Sequence, residues 1–155
     1  MNLFGVMDVS ASALQAQRVR AEVVAANMAN AETTRTADGK PYQRQHVVFA
    51  TVGDGSFAQS MLSAGNGETG GNGARSTVPV GGVAVAGVIA DAGAPLLRFD
   101  PSHPDAGPDG YVAYPDINPL TEMTDLLGAS RSFNLNATAI QAEKGTLASS
   151  LELLK

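Results

Sequence analysis

The sequence contains no cysteine and no tryptophan, and it has few aromatic residues and little charge. Without cysteine, disulfides, thiolate metal sites and thiol nucleophiles are excluded. With aromatics at only 5%, nothing supports a sugar-stacking cleft or a base-stacking platform. Charged residues make up 16% of the 155, against roughly 25% in an average soluble protein. Alanine, glycine, serine, threonine and asparagine take their places. Such thinly charged surfaces suit a protein covered by neighbours. The net charge of −5 opposes general affinity for nucleic acid or anionic membranes. No run of about 18 apolar residues occurs, so no membrane-inserted helix is predicted. The first basic residue is Arg18, and no apolar stretch precedes a small-residue cleavage site, so no cleaved secretory signal is predicted either.

What the chain does have is apolar periodicity at both ends. Met123, Leu126, Ser130, Phe133, Ala137, Ile140, Lys144, Leu147, Leu151 and Leu154 alternate spacings of three and four. That is the pattern of a helical seam. A second stripe opens the chain with Leu3, Met7, Ser10, Leu14, Gln17, Ala21, Val24 and Met28. The two stripes predict long terminal helices packed as an antiparallel, coiled-coil-like pair. The faces beside the second seam carry small residues, among them Gly128, Ala129, Ser132 and Ala139. Small residues let further helices approach closely.

Between the helices the composition changes. Four runs read as strands: Tyr42 to Val52, Val83 to Ile89, Leu96 to Phe99, and Tyr111 to Tyr114. Residues 53–82 form a Gly-, Ser- and Asn-rich loop without periodicity. The expected fold class is α+β, with a small antiparallel β-domain inserted between the helices. The expected units are 1–30, 31–117 and 118–155. Asn27, Asn30, Thr33 and Thr34 mark the end of the first helix, because asparagine tolerates the left-handed conformation and threonine disfavours continuation. Asn118 is the expected N-cap of the last helix and Pro119 its first residue. Glu122 and Asp125 complement the positive end of its dipole.

No catalytic, cofactor-binding or metal-ligating residue is assigned. The run Gly65-Asn-Gly67-Glu-Thr-Gly70 matches a dinucleotide fingerprint in letters but lacks the strand before it and the amphipathic helix after it. Asp100, His103, Asp105 and Asp109 offer oxygen and imidazole donors within one loop, so a metal-binding module or a hydrolase there is the rival reading. Pro101, Pro104 and Pro108, with the Asp109-Gly110 turn pair, favour a hairpin loop instead. No Gly-x-Ser-x-Gly elbow is present. Asn136-Ala-Thr138 fits a glycosylation pattern but falls inside the predicted helix.

Several motifs resemble those of bacterial flagellar rod and hook proteins. Ala26-Asn-Met-Ala-Asn-Ala-Glu-Thr-Thr34 is similar to that family's N-terminal signature. Asp38-Gly-Lys-Pro-Tyr-Gln-Arg44, Phe99-Asp-Pro-Ser-His-Pro-Asp-Ala106 and Asp109-Gly-Tyr-Val112 narrow the resemblance to the proximal rod. So do Pro115-Asp-Ile-Asn118 with Glu122-Met123, and Ala129-Ser-Arg-Ser-Phe133 with Asn136. The motif residues are Asn27, Asn30, Thr33, Gly39, Tyr42, Asp100, Pro101, His103, Pro104, Gly110, Tyr111, Asn118, Arg131 and Asn136. The resemblance implies a non-enzymatic structural subunit of the basal-body rod, exported uncleaved by the flagellar type III apparatus. It implies self-association and contact with other proximal and distal rod proteins and with the junction at the membrane ring. It implies no cofactor. The assembly seam would be carried by Leu3, Met7, Leu14, Ala21, Val24 and Met28 on one helix. Met123, Leu126, Phe133, Ala137, Ile140, Leu147, Leu151 and Leu154 would carry it on the other. Another flagellar axial component is the nearest alternative.

Overall fold

A computed structural model describes residues 3–52 and 81–152. The Gly65–Gly70 run, Leu154 and nearly all of the Gly-rich loop lie outside the described residues. Helix α1 spans Leu3–Ala29, helix-forming throughout and free of proline. It ends by closing a turn: the Asn30 amide donates to the Ala26 carbonyl at 3.1 Å and the Thr33 amide to the Asn30 carbonyl at 3.0 Å. The Asn30 side chain also folds back onto the Ala26 carbonyl at 2.9 Å. Among the described residues no non-glycine residue has a positive φ. Asn30 therefore stops the helix through side-chain competition for backbone acceptors rather than through a left-handed turn.

Strand β1 (Gln45–Val52) pairs antiparallel with β2 (Gly82–Ala90), with a register shift at Val48/Phe49. Their β-branched residues suit a half-buried pleated surface. This hairpin lies along α1, where the Val83 amide donates to the Ser12 hydroxyl at 3.1 Å. Strand β3 (Leu96–Phe99) pairs with β4 (Tyr111–Tyr114) as a second two-stranded sheet. The β-region is thus two separate ribbons, because β2 and β3 do not share a ladder.

Helix α2 spans Pro119–Glu152 and has the expected cap. The Asn118 side chain accepts the Leu120 amide at 3.0 Å, and the Asn118 carbonyl accepts the Glu122 amide at 3.1 Å. Pro119, which has no N–H to lose, fits the first position. The helices run antiparallel, since the end of α1 meets the start of α2. Among the described residues the buried apolar set is small: Ala16, Val24, Val112, Ile117 and Ala129. So little core means that much of the apolar surface faces outward.

Candidate functional site

The largest buried side chains at the helix pair are polar. Asn27 and Glu122 are each 1% exposed. Such burial requires full hydrogen bonding, and both residues have it. The Asn27 carboxamide donates to the Gln45 carbonyl at 2.8 Å and accepts the Gln45 amide at 2.9 Å. It pairs with both backbone groups of one residue, as a neighbouring strand would. It also donates to Glu122 Oε2 at 3.2 Å and accepts from the Tyr42 hydroxyl at 3.2 Å. On its other side, Glu122 Oε1 accepts from Arg44 Nε at 2.7 Å. Arg44 lies 4.0 Å from Asp125 Oδ2, and Arg20 bonds Asp125 Oδ1 at 3.2 Å. Two guanidinium groups and two carboxylates balance there. Burial, and then the Glu122 carboxylate, push the Tyr42 phenol above its usual pKa, so it remains a donor.

This junction ties α1, α2 and the entry to β1 at one point. Chemically it is a strut, since each carboxylate is held by an arginine. The sequence pointed to Asn27, Tyr42 and Glu122 within the family motifs, and to Glu122 also as a dipole partner. It gave no sign of the Arg44–Glu122 and Arg20–Asp125 pairs, which join residues far apart in the chain.

The loop from Asp100 to Gly110 forms a second, smaller tie. The Asp100 side chain accepts the Ser102 hydroxyl at 2.7 Å, and His103 Nδ1 accepts the Asp105 amide at 3.1 Å. The Thr34 hydroxyl donates to Asp105 Oδ2 at 2.8 Å, with Arg35 at 3.5 Å from the other oxygen. The Thr34 bond, reinforced by Arg35, holds the Asp105 carboxyl below its ordinary pKa. The Ser102 hydroxyl does the same for Asp100. Among the described residues, no three of His, Asp and Glu gather as a metal site. Pro101 and Pro104 are exposed within this loop. Gly110 closes it at φ +74°, with Tyr111 edge-on to Phe99 at 5.3 Å between ring centres. In the turn before Tyr42, Gly39 takes φ +74° and donates to the Thr36 carbonyl, while the Tyr42 amide donates to the Thr33 carbonyl.

The apolar stripes fall differently from the expectation. On α1, Val24 is buried, and Met7, Leu14, Ala21 and Met28 are half-buried; Leu3 begins the helix. On α2 the line nearest α1 is one residue earlier than the apolar stripe: Glu122, Ala129, Asn136 and Glu143, flanked by Asp125, Ser132 and Ala139. Leu126, Ala137, Ile140 and Leu147 are half-buried at its margin, while Met123, Phe133 and Leu151 are exposed. A one-residue shift turns a helix by about 100°. The outward side at the start of α2 presents Leu120, Met123 and Leu127, with Leu135 and Arg131 further along. Asn136 spends its amide on the Ser132 carbonyl at 2.8 Å.

The comparisons fit this arrangement. Residues 7–35 match the family model described as flagella basal body rod protein. Residues 109–153 match the one described as flagellar basal body rod FlgEFG protein C-terminal. The flagellar basal-body rod protein FlgC of Bacillus subtilis is 40% identical, over all of both chains. That of Borreliella burgdorferi is 35% identical over all of this chain and 99% of its own. That of Salmonella typhimurium is 32% identical over 99% of this chain and 98% of its own. At 32–40% identity over 98% or more of each of these chains, and with both ends matched by flagellar rod family models, the chain belongs to the FlgC family of flagellar basal-body rod proteins.

Proposed function

We propose that the chain is a structural subunit of the proximal rod, built into the shaft by helix contacts that its own fold leaves open. The observation that carries this is the outward side of α2. Leu120 is 71% exposed, Met123 52% and Leu127 53%, at spacings that put them on one helix face. Exposed large apolar residues scattered singly mean little, but an aligned set marks an interaction surface. Burying each such side chain contributes about 1.5–3 kcal/mol. Neighbours that cover this face would be further copies and other rod proteins. A patch that meets a different patch on the next subunit propagates rather than closes, which is the logic of a shaft. Of the predicted seam residues, Leu126, Ile140 and Leu147 stay at the margin of the α1 contact, while Phe133 and Leu151 are exposed on a different side of α2 and would meet a second neighbour.

In this reading residues 1–30 and 118–155 line the rod core and residues 31–117 lie outside them. The junction at Asn27, Arg44 and Glu122 then transmits torque between the two layers without slip. Export would use the flagellar type III apparatus, and the assembled site lies in the periplasm between the membrane ring and the hook. The role is mechanical, not enzymatic.

The test is Leu127→Asp together with Met123→Asp in a strain lacking the native gene. Thermal unfolding of the purified chain should be unchanged, because both side chains face solvent. Rods and motility should be lost. Normal swimming and normal basal bodies with this double variant would refute the assignment of that face.

A further inference from the structure

The β3–β4 ribbon carries an apolar face that the chain's own fold leaves uncovered. Leu97 lies opposite Ala113 and Phe99 opposite Tyr111, so these four side chains share one face of the ribbon. Leu97 is 69% exposed and Phe99 64%, and Tyr111, edge-on to Phe99, is exposed as well. The reverse face holds Val112, which is buried, so that side is the one turned to the body of the chain. At the Phe99 end of the exposed face, the Asp100 amide donates to the Gly110 carbonyl at 3.0 Å, and the residue before Gly110 is the exposed Asp109. A second face has the matching character. On α2, Met123, Leu127, Arg131 and Leu135 recur every fourth residue on the outward side, with Leu120 beside them. Among the described residues, neither the Asp109 carboxylate nor the Arg131 guanidinium has an ion-pair partner in its own chain. The two faces also agree in length. Leu120 to Leu127 covers about 10 Å of helix, and a four-residue strand about 13 Å.

We propose that the exposed face of the β3–β4 ribbon in one copy docks on the outward face of α2 in the next copy, with Asp109 meeting Arg131. The inference rests on the rod-subunit reading and names the occupant of the α2 face. That occupant is a second copy of this chain, because the chain carries both halves of the contact: an apolar patch bordered by a free carboxylate and another bordered by a free guanidinium. Two unlike faces that fit each other make a heterologous contact, and each copy added leaves one of each face open for the next. The apolar side chains supply the attraction, with Phe99 and Tyr111 as rigid anchors and Met123 as the adaptable surface beneath them. The single pair of opposite charges sets the direction, since docking the ribbon end for end would leave Asp109 away from Arg131.

The experiment has two arms, both with the full chain in a strain lacking the native gene. In the first, Asp109→Arg and Arg131→Asp are made singly and together. Each single variant should swim several-fold less than wild type, and the double variant, which restores opposite charges, should recover most of the loss. All three purified chains should keep the wild-type Tm, because both side chains are exposed. Normal swimming by the single variants, no recovery in the double variant, or a lowered Tm would each overturn the proposal. In the second arm, Leu97→Cys and Leu127→Cys are placed in two differently tagged copies produced together. Isolated basal bodies are treated with a short bismaleimide, which has no native thiol to react with. A product joining the two tags is expected, and no product joining two copies of the same tag. Same-tag products alone, a product with a different rod protein alone, or no product would overturn the proposal. The rod-subunit reading fails separately, and only if the wild-type chain itself is missing from isolated basal bodies.

Discussion

The two ends of the helix pair are built on opposite plans. Where α1 ends and α2 begins, Asn27 and Glu122 are buried and satisfied by Gln45, Tyr42 and Arg44. Further along, Gln17 and Glu143 carry orphaned oxygens, and Leu135 and Leu151 of α2 are exposed. The first end holds three elements together with bonds inside the chain. The second leaves Leu135 and Leu151 uncovered by the chain's own fold. The comparison teaches that a subunit of a polymer can concentrate its own fold at one point and leave the remainder to be completed by assembly.

The comparison can be broken at the junction first. Glu122→Ala removes the partner of Arg44 and one acceptor of Asn27. Losing one member of a buried ion pair costs about 3–5 kcal/mol, and denaturant unfolding of the purified chain should show a loss of that size. Asn27→Leu strands both backbone groups of Gln45 and should cost about 2–4 kcal/mol in the same assay. Substitutions on the outward face of α2 should behave differently. Leu135 is 71% exposed, so Leu135→Ala should shift free-chain stability by less than about 0.5 kcal/mol.

The hairpin loop gives an intermediate effect. At Gly110 the φ is +74° and an added Cβ would stand 2.9 Å from Phe99 Cε2. Gly110→Ala should therefore destabilise by about 1–2 kcal/mol, with near-ultraviolet dichroism reporting displacement of the Phe99–Tyr111 pair. The smallest effect belongs to the half-buried Thr34–Asp105 tie. The Asp105 pKa is lowered in the folded chain, first by the Thr34 bond. Its contribution is complete above the unfolded value near 3.9 and is lost as pH falls through the lower folded value. The Tm difference between wild type and Asp105→Asn should be constant near neutrality and close below about pH 4.

Much of the architecture was legible in the residues. The limits of both helices, the Asn118 cap, the four strands and the Asp109-Gly110 turn follow from periodicity, capping chemistry and β-branched runs. The division into two ribbons was not, because strand pairing is set by tertiary placement rather than by the strands' own residues. The face of α2 was misread by one position for a physical reason. Periodicity reports where apolar residues line up, and it cannot tell a face buried within the chain from one held for a neighbour. The junction was the least legible part. Glutamate is almost never fully buried unless paired, and the pair that buries Glu122 is carried by Arg44 across the whole middle region. Asn27, Tyr42 and Glu122 each stood in a family motif, but no local pattern showed that they meet.

Because the chain has no native cysteine, a single introduced thiol reports burial cleanly. The most direct measurement is the reactivity of Leu127→Cys toward a maleimide, in the purified chain and in isolated basal bodies. The account predicts rapid labelling of the free chain and strong protection in the rod. Equal labelling in both would contradict the claim that the outward face of α2 is the surface that assembly covers.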